Sequence, residues 1–294
     1  MKFKVIITLI ILSLYVFGCN FYPSTPVSTP SDTNYIENKG SDTMVNLALA
    51  WAEEYQNIRP DIRVAVSGGG SGTGIAALIN GTVDLANASR QITEEEISAS
   101  RSRGYDPVEF VVARDAIAVI VHPDNPIDTL TLAQLSDIYS GKIKNWSELG
   151  GEDRPIVRLS RETNSGTHIF FLEEVLRLGD PDNRTLFSTD TLLLPSSQGI
   201  TQEVSDNRNA IGYEGLGYVV PEVKVLAVAS TANDIPFMPT LETVLTASYP
   251  ISRDLYIYTI REPFGEILEY INYIISPEGQ ELVTELGYIP IIDE

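Results

Sequence analysis

The chain has 294 residues, 43% of them hydrophobic, which is enough for one or two domains with a real core. Its formal net charge of −20 argues against nucleic acid and anionic membrane surfaces as partners. The two histidines and the single cysteine are not clustered, so neither a metal site nor a resident cofactor is expected.

Residues 1–18 are predicted to be a secretory leader. Lys2 and Lys4 form a basic start, and the mostly apolar stretch 5–16 follows. This stretch is shorter than the about 20 apolar residues that span a bilayer, which favours a cleaved signal peptide. The segment V-F-G-C that ends at Cys19 matches a lipobox, and Cys19 is the only cysteine of the chain. We therefore predict cleavage before Cys19 and lipid attachment to its thiol, which anchors a protein without spanning the membrane.

The segment 19–34 is predicted to hold the acylated cysteine and a flexible linker. After Cys19 it contains three prolines and many serines and threonines. Such a composition favours an extended, solvated chain. Its expected function is to hold a globular body away from the bilayer.

The remaining sequence alternates predicted strands and helices, which indicates an α/β fold. Apolar spacing and capping signals predict helices at 44–58, 75–79, 93–103, 131–141, 167–178, 198–207, 264–274 and 277–286. Apolar or alternating runs predict strands at 62–66, 83–86, 107–123, 156–159, 210–213, 223–228 and 256–259. In such a fold, ligand-binding loops follow the carboxyl ends of strands.

Three clusters of glycine with serine or threonine precede helical segments, and two have an arginine nearby. They are G-S-D-T-M at 40–44, S-G-G-G-S-G-T-G at 67–74 with N-A-S-R at 87–90, and R-E-T-N-S-G-T at 161–167. Unpaired N–H groups and the helix dipole make a helix start a favourable place for an anion. Guanidinium groups bind tetrahedral oxyanions with paired hydrogen bonds. Together, the clusters predict one oxyanion held by several segments.

In chain order, these clusters resemble a known family. The matching segments also include Val83-Asp84, the run Y-S-G-K-I-K-N-W at 139–146, and A-I-G-Y at 210–213. Over about residues 35–294 the sequence resembles the substrate-binding proteins of high-affinity phosphate ABC transporters. The run G-K-I-K-N-W is the most distinctive part of the resemblance.

The resemblance implies two α/β lobes of a type II periplasmic-binding-protein fold, joined by two crossover strands that we place near 112–118 and 250–256. One lobe would comprise 35–115 plus 252–294, and the other 116–251. The first two clusters then lie on one lobe and the third on the other, so closure would bring them onto phosphate.

The resemblance also implies ligand contacts at individual positions. They fall on Asp42, Thr43, Ser71, Ser89, Arg161, Ser165, Gly166 and Thr167. From their chemistry, we add the neighbours Ser41 and Arg90. In the best-known family members, a carboxylate stands at the position of Ser89 and a threonine at that of Asp42. We therefore assign acceptance of the phosphate proton to Asp42, with Asp84 as the next candidate.

Several roles remain open from the sequence. Arg90 could bind phosphate or pair with Asp42 or Asp84. Asp115 could orient Arg161 or Arg90, or face solvent. Lys142, Lys144 and Trp146 are interpreted as a helix end with a packing tryptophan. His168 invites a hydrolase reading, but a nucleophile elbow G-x-S-x-G is absent from the sequence.

The expected function is that of a non-catalytic, monomeric, lipid-anchored receptor outside the cytoplasm, in the periplasm or on the outer surface. It would bind inorganic phosphate and deliver it to a membrane ABC permease. One alternative is another oxyanion such as sulfate, which carries no proton at neutral pH. A less favoured alternative from a different class is a phosphohydrolase.

Overall fold

The computed structural model describes residues 34–291 and confirms the predicted α/β class. The leader 1–18, Cys19 and the linker up to residue 33 lie outside the described residues. The α-helices of the described residues are α1 Val45–Ile58, α2 Ser71–Ile79, α3 Glu94–Ser102, α4 Leu132–Tyr139, α5 Gly166–Phe171, α6 Ser197–Asp206, α7 Leu241–Leu245, α8 Gly265–Ile274 and α9 Pro277–Glu285. Between residues 34 and 291, no helix combines the length and apolar character needed to cross a membrane.

The strands belong to one ten-stranded sheet. They are β1 Asn34–Gly40, β2 Ile62–Ser67, β3 Leu85–Ala88, β4 Val108–Val121, β5 Thr129–Thr131, β6 Val157–Arg161, β7 Leu192–Leu194, β8 Ala210–Gly215, β9 Lys224–Ala229 and β10 Ser252–Thr259. The order is β2-β1-β3-β10-β4-β8-β6-β7, and β9 pairs with β4 and β5.

The long strand β4 connects two parts of this sheet. Its first half pairs antiparallel with β10 from Val108 to Ala116, and its second half pairs with β8 from Ile117 to Val121. Parallel strands β2, β1 and β3 lie beyond β10, while β6 and β7 lie beyond β8. The carboxyl ends of β1, β2 and β3 therefore share one edge, as do those of β6, β7 and β8.

The two largest hydrophobic cores divide along this sheet. One core takes its buried side chains from residues between 36 and 113 and between 255 and 288. The other takes them from residues between 116 and 251, together with Ile289. The chain thus leaves the first core through β4 and returns to it through β10.

Most predicted elements are present with shifted ends. Strand β3 begins two residues later than predicted, because its ladder with β1 starts at Leu85 and Asp84 instead accepts a hydrogen bond from the Glu37 amide at 2.8 Å. Helix α2 begins at Ser71, since the glycines before it hold the loop. The helix predicted at 167–178 consists of α5 followed by a π-helical turn, Leu172–Leu176. The three-residue strands β5 and β7 were missed, because pairing with β9 and β6 creates them.

The segment after α4 has the structural role expected from its tryptophan. The Trp146 ring is buried, and its indole N–H donates to the Asn209 carbonyl at 3.1 Å. Lys142 pairs with Asp137 of α4 at 2.8 Å. This lysine is therefore engaged on the helix surface.

Candidate oxyanion site

The first two glycine-hydroxyl clusters meet at the shared carboxyl edge of β1, β2 and β3. Ser41, Ser71 and Ser89 are each at most 2% exposed. The Ser41 hydroxyl donates to Ser89 Oγ at 2.9 Å, and the Ser89 amide donates to Ser71 Oγ at 3.0 Å. Parallel pairing aligns the three strand ends, so hydroxyls distant in sequence become neighbours.

Gly40 makes this approach possible. Its φ of +153° is one that side chains disfavour, and a Cβ there would collide with the Asn87 carbonyl. The Ser41 amide donates to that carbonyl at 2.9 Å. A residue without a side chain is therefore required where β1 passes β3.

The third cluster packs against the first two. Ser165 caps α5 by accepting from the Thr167 amide at 3.2 Å. A Cβ at Gly166 would collide with the hydroxyls of Ser71 and Ser89. The Thr167 and Thr43 hydroxyls are 2.8 Å apart. The structure therefore brings hydroxyls from all three clusters together.

Arg161 lies at the end of β6 and is 1% exposed. Its guanidinium donates to the Asp42 carboxylate, to Ser197 Oγ at 2.7 Å and to the Pro195 carbonyl at 2.8 Å. The Asp42 side chain is 20% exposed. Arg161 thus joins the first cluster to the start of α6.

A second buried arginine, Arg253, was not identified as a site residue in the sequence. It donates to the Ser89 carbonyl at 2.9 Å, to Thr167 Oγ1 at 3.0 Å and to Asp115 Oδ2 at 2.9 Å. The available signal was an arginine inside the predicted crossover near 250–256. Antiparallel pairing of β10 with β4 places Arg253 opposite Asp115.

Asp115 is fully buried and serves as the partner of Arg253. Burial raises the pKa of the Asp115 carboxyl, and the charge of Arg253 opposes that rise. The Leu216 amide also donates to Asp115 at 3.0 Å. Of the two roles left open, the structure supports orientation of an arginine, although the arginine is neither Arg161 nor Arg90.

Arg90 has a partner different from those considered. Its guanidinium forms two hydrogen bonds with Glu96, at 2.7 and 2.8 Å, and donates to the Gln91 carbonyl at 2.7 Å. Pairing with Asp42 or Asp84 was therefore wrong. Asp84 precedes β3 and bonds the Glu37 amide, whereas the hydroxyl clusters follow the opposite end of that strand.

Glu214 is a third carboxylate that sequence reasoning missed, although it directly follows the A-I-G-Y segment. It is fully buried, and neither carboxylate oxygen has a hydrogen-bond partner among the described residues. Its Oε2 atom lies 4.0 Å from Arg161 Nη1. Burial raises the Glu214 pKa to about 7, and the charge of Arg161 and the neighbouring Ser197 side chain oppose that rise.

His168 lies beside a serine but within the packed interior. Its Nδ1 atom is 3.0 Å from Ser160 Oγ, which also contacts the Tyr213 hydroxyl at 2.5 Å. Ser160 is fully buried, and burial lowers the pKa of His168. The Phe187 ring stacks on His168. The pair is therefore enclosed and does not present a nucleophile to the oxyanion site.

The chain is similar in sequence to known phosphate-binding proteins. A family model described as a PBP superfamily domain matches residues 27–278. A phosphate-binding protein PstS from Pseudomonas aeruginosa is 34% identical over 273 residues, which cover 87% of this chain and 83% of that protein. A phosphate-binding protein PstS from Bacillus subtilis is 32% identical over 258 residues, covering 86% and 80%.

Solved structures show the same similarity. A phosphate ABC transporter substrate-binding protein with bound phosphate from Clostridium perfringens matches with a TM-score of 0.79 and 34% identity, over 88% of this chain and all of that one. An ABC-type phosphate transport receptor from Vibrio cholerae matches with a TM-score of 0.69 and 30% identity, over 87% of this chain and all of that one.

Proposed function

Because the chain belongs to the PBP superfamily and, within it, to the PstS family of phosphate-binding proteins, we propose that it is an extracytoplasmic phosphate receptor of a membrane ABC permease. Its fold is of the type II periplasmic-binding-protein class. The observation that carries the proposal is the convergence of three hydroxyl clusters on two buried arginines. Hydroxyl, amide and guanidinium donors are the groups that hold a tetrahedral oxyanion.

The proposed ligand contacts are the predicted residues other than Arg90, whose guanidinium is paired with Glu96, together with Arg253. They are Ser41, Asp42, Thr43, Ser71, Ser89, Arg161, Ser165, Gly166, Thr167 and Arg253. Arg90 supports the edge of the site through Glu96, since that carboxylate already occupies its guanidinium. The buried contacts offset the repulsion of a net charge of −20, because surface charges are screened within roughly 8–10 Å.

The two lobes are proposed to close on phosphate as hinged bodies. The boundaries are those predicted, 35–115 plus 252–294 for one lobe and 116–251 for the other. The division of the two largest cores near Ala116 and Ile251 supports this choice. Strands β4 and β10 would then carry the hinge.

The receptor is proposed to be a monomeric lipoprotein held at the cell membrane by Cys19, with the segment 20–33 as its tether. The tether ends one residue earlier than predicted, because Asn34 begins β1. The leader sequence and the uniqueness of Cys19 support the anchor. The protein is proposed not to be an enzyme, because Ser160 and His168 are enclosed and the relatives are binding proteins.

Calorimetric titration of the purified protein with inorganic phosphate and with sulfate tests the function. Saturable phosphate binding with much weaker sulfate binding is expected. Preferential sulfate binding would show that the ligand is sulfate and not phosphate. Release of phosphate from a generic phosphomonoester at an enzymatic rate would support the hydrolase instead, provided that substitution of His168 abolishes this activity.

A further inference from the structure

The glycine-rich loop after β2 contains more small residues than the proposed oxyanion site uses. Of the segment 67–74, only Ser71 is a proposed ligand contact. The loop also lies against the turn that follows β6, where the Gly72 amide donates to the Asn164 carbonyl at 3.1 Å. The glycines of this motif therefore have a second neighbour, which the oxyanion site does not explain.

Gly70 shows how closely the two backbones approach each other. Its φ of +89° lies in the region that side chains disfavour, and a Cβ there would be 2.8 Å from the Asn164 carbonyl oxygen. A larger residue at this position would push the turn away from the loop. The absence of a side chain is thus required for this contact.

The side chain of Asn164 adds two hydrogen bonds to the same loop. Its Nδ2 atom donates to the Gly69 carbonyl at 2.9 Å and to Thr73 Oγ1 at 3.2 Å. The carbonyl of Gly69 can only accept, so the amide nitrogen of Asn164 must face it. Asn164 itself is exposed, which places these bonds at the rim of the site and not among the buried hydroxyls.

The contact of Asn164 is separable from ligand binding. Arg161 with Asp42, and Thr43 with Thr167, also join the two proposed lobes, but these four residues are proposed ligand contacts. The residues that bond Asn164 are not among those contacts. Asn164 can therefore be altered without removing a group that the oxyanion needs.

We propose that the contact of Asn164 with Gly69, Gly72 and Thr73 is a latch that holds the two proposed lobes together, an inference that rests on the proposed phosphate function. Residues 67–74 belong to one proposed lobe and Asn164 to the other. A contact made only when the lobes meet favours the closed state, so it raises phosphate affinity without touching phosphate.

Calorimetric titration of the full protein with inorganic phosphate tests the latch. Asn164→Ala removes both side-chain hydrogen bonds and should weaken phosphate binding about tenfold. Thr73→Val removes one of these bonds from the opposite lobe and should weaken binding about threefold. The double variant should match Asn164→Ala within about twofold, because both changes remove the same bond.

Asn57→Ala is the matched control. Asn57 is also exposed, and its side-chain amide donates to Glu54 of the same helix, α1, at 3.3 Å. This variant should bind phosphate as the unmodified protein does. Urea unfolding without phosphate should give the same free energy of unfolding for Asn164→Ala and for the unmodified protein, since the latch acts on closure.

Three results would overturn the latch. The first is unchanged phosphate affinity in Asn164→Ala, and the second is a double variant weakened by the about thirtyfold product of the single effects. The third is a loss of affinity in Asn164→Ala that is matched by an equal loss in the free energy of unfolding without phosphate, which would indicate a structural role. Failure of the unmodified protein to bind phosphate would instead reject the underlying function.

Discussion

The hydroxyls of Thr43 and Thr167 lie 2.8 Å apart, although 124 residues separate them in the chain. Arg253 donates to Thr167 at 3.0 Å and to the Ser89 carbonyl at 2.9 Å. One arginine on β10 therefore joins the loops that follow β1, β3 and β6. The following predictions concern this junction, its closure and the anchor of the protein.

Arg161→Ala should weaken phosphate binding while leaving the protein folded. Loss of one partner from a desolvated, charge-assisted contact typically costs about 2–5 kcal/mol. Calorimetric titration measures the change, and circular dichroism checks the fold. Arg101→Ala, which alters an arginine whose side chain is 63% exposed, is the control and should bind normally. Unchanged affinity in the Arg161 variant would remove this residue from the site.

Arg253→Ala should destabilise the fold, because it leaves Asp115 buried without its cation. Breaking a buried pair costs about 3–5 kcal/mol in the free energy of unfolding. The double variant Asp115→Ala with Arg253→Ala should lose less than the sum of the two single variants. Urea unfolding of all four proteins measures this coupling, and strict additivity would contradict it.

The stability of Arg253→Ala should also depend on pH. Burial raises the pKa of Asp115, and removal of the opposing cation raises it further. A carboxyl with a raised folded-state pKa destabilises the fold most where it must ionise, above that pKa. Relative to the unmodified protein, the deficit of the variant should shrink as pH falls through the raised pKa. Thermal unfolding across pH measures the trend, and a deficit that grows in acid would refute it.

Phosphate should make the protein more compact in solution. This expectation rests on the assignment of the three hydroxyl clusters to two lobes joined by β4 and β10. Two lobes joined in this way can close as hinged bodies. Small-angle scattering should give a smaller radius of gyration with phosphate than without. Arg161→Ala at the same phosphate concentration provides the comparison. Equal radii with phosphate demonstrably bound would indicate a cleft that is closed beforehand.

Asp42→Asn should change phosphate and sulfate affinity by similar factors, with their ratio held within about threefold. Asparagine keeps an oxygen that accepts from Arg161 and removes a charge that repels both anions. Competition binding with the two anions measures the ratio. A tenfold loss of selectivity would instead assign recognition of the phosphate proton to Asp42.

Cys19→Ser should release the protein from the membrane fraction. No other cysteine can accept the lipid, since the chain has only one. Cell fractionation followed by immunoblotting measures the distribution, and Ser24→Ala in the linker is a control that should stay membrane-bound. Continued membrane association of the Cys19 variant would place the anchor elsewhere.

The local pattern of residues was sufficient for the α/β class, for most helices and strands, and for the three hydroxyl clusters. Apolar periodicity reports which face of an element is buried, and glycine beside serine reports where backbone must approach closely. Both signals are local, so Arg161 and Thr167 could be singled out directly. Short strands such as β5 and β7 left no such signal, because their partners alone define them.

The charge arrangement of the site was decided by tertiary structure. Asp115 and Arg253 are 138 residues apart, and only the β4–β10 register makes them a pair. The sequence allowed Arg90 to pair with any of several carboxylates, and in the structure it pairs with Glu96 in the first turn of α3. Glu214 looked like an ordinary strand residue until folding placed it in full burial beside Arg161. Burial and long-range pairing determine the energy of a charge, and neither can be derived from local sequence.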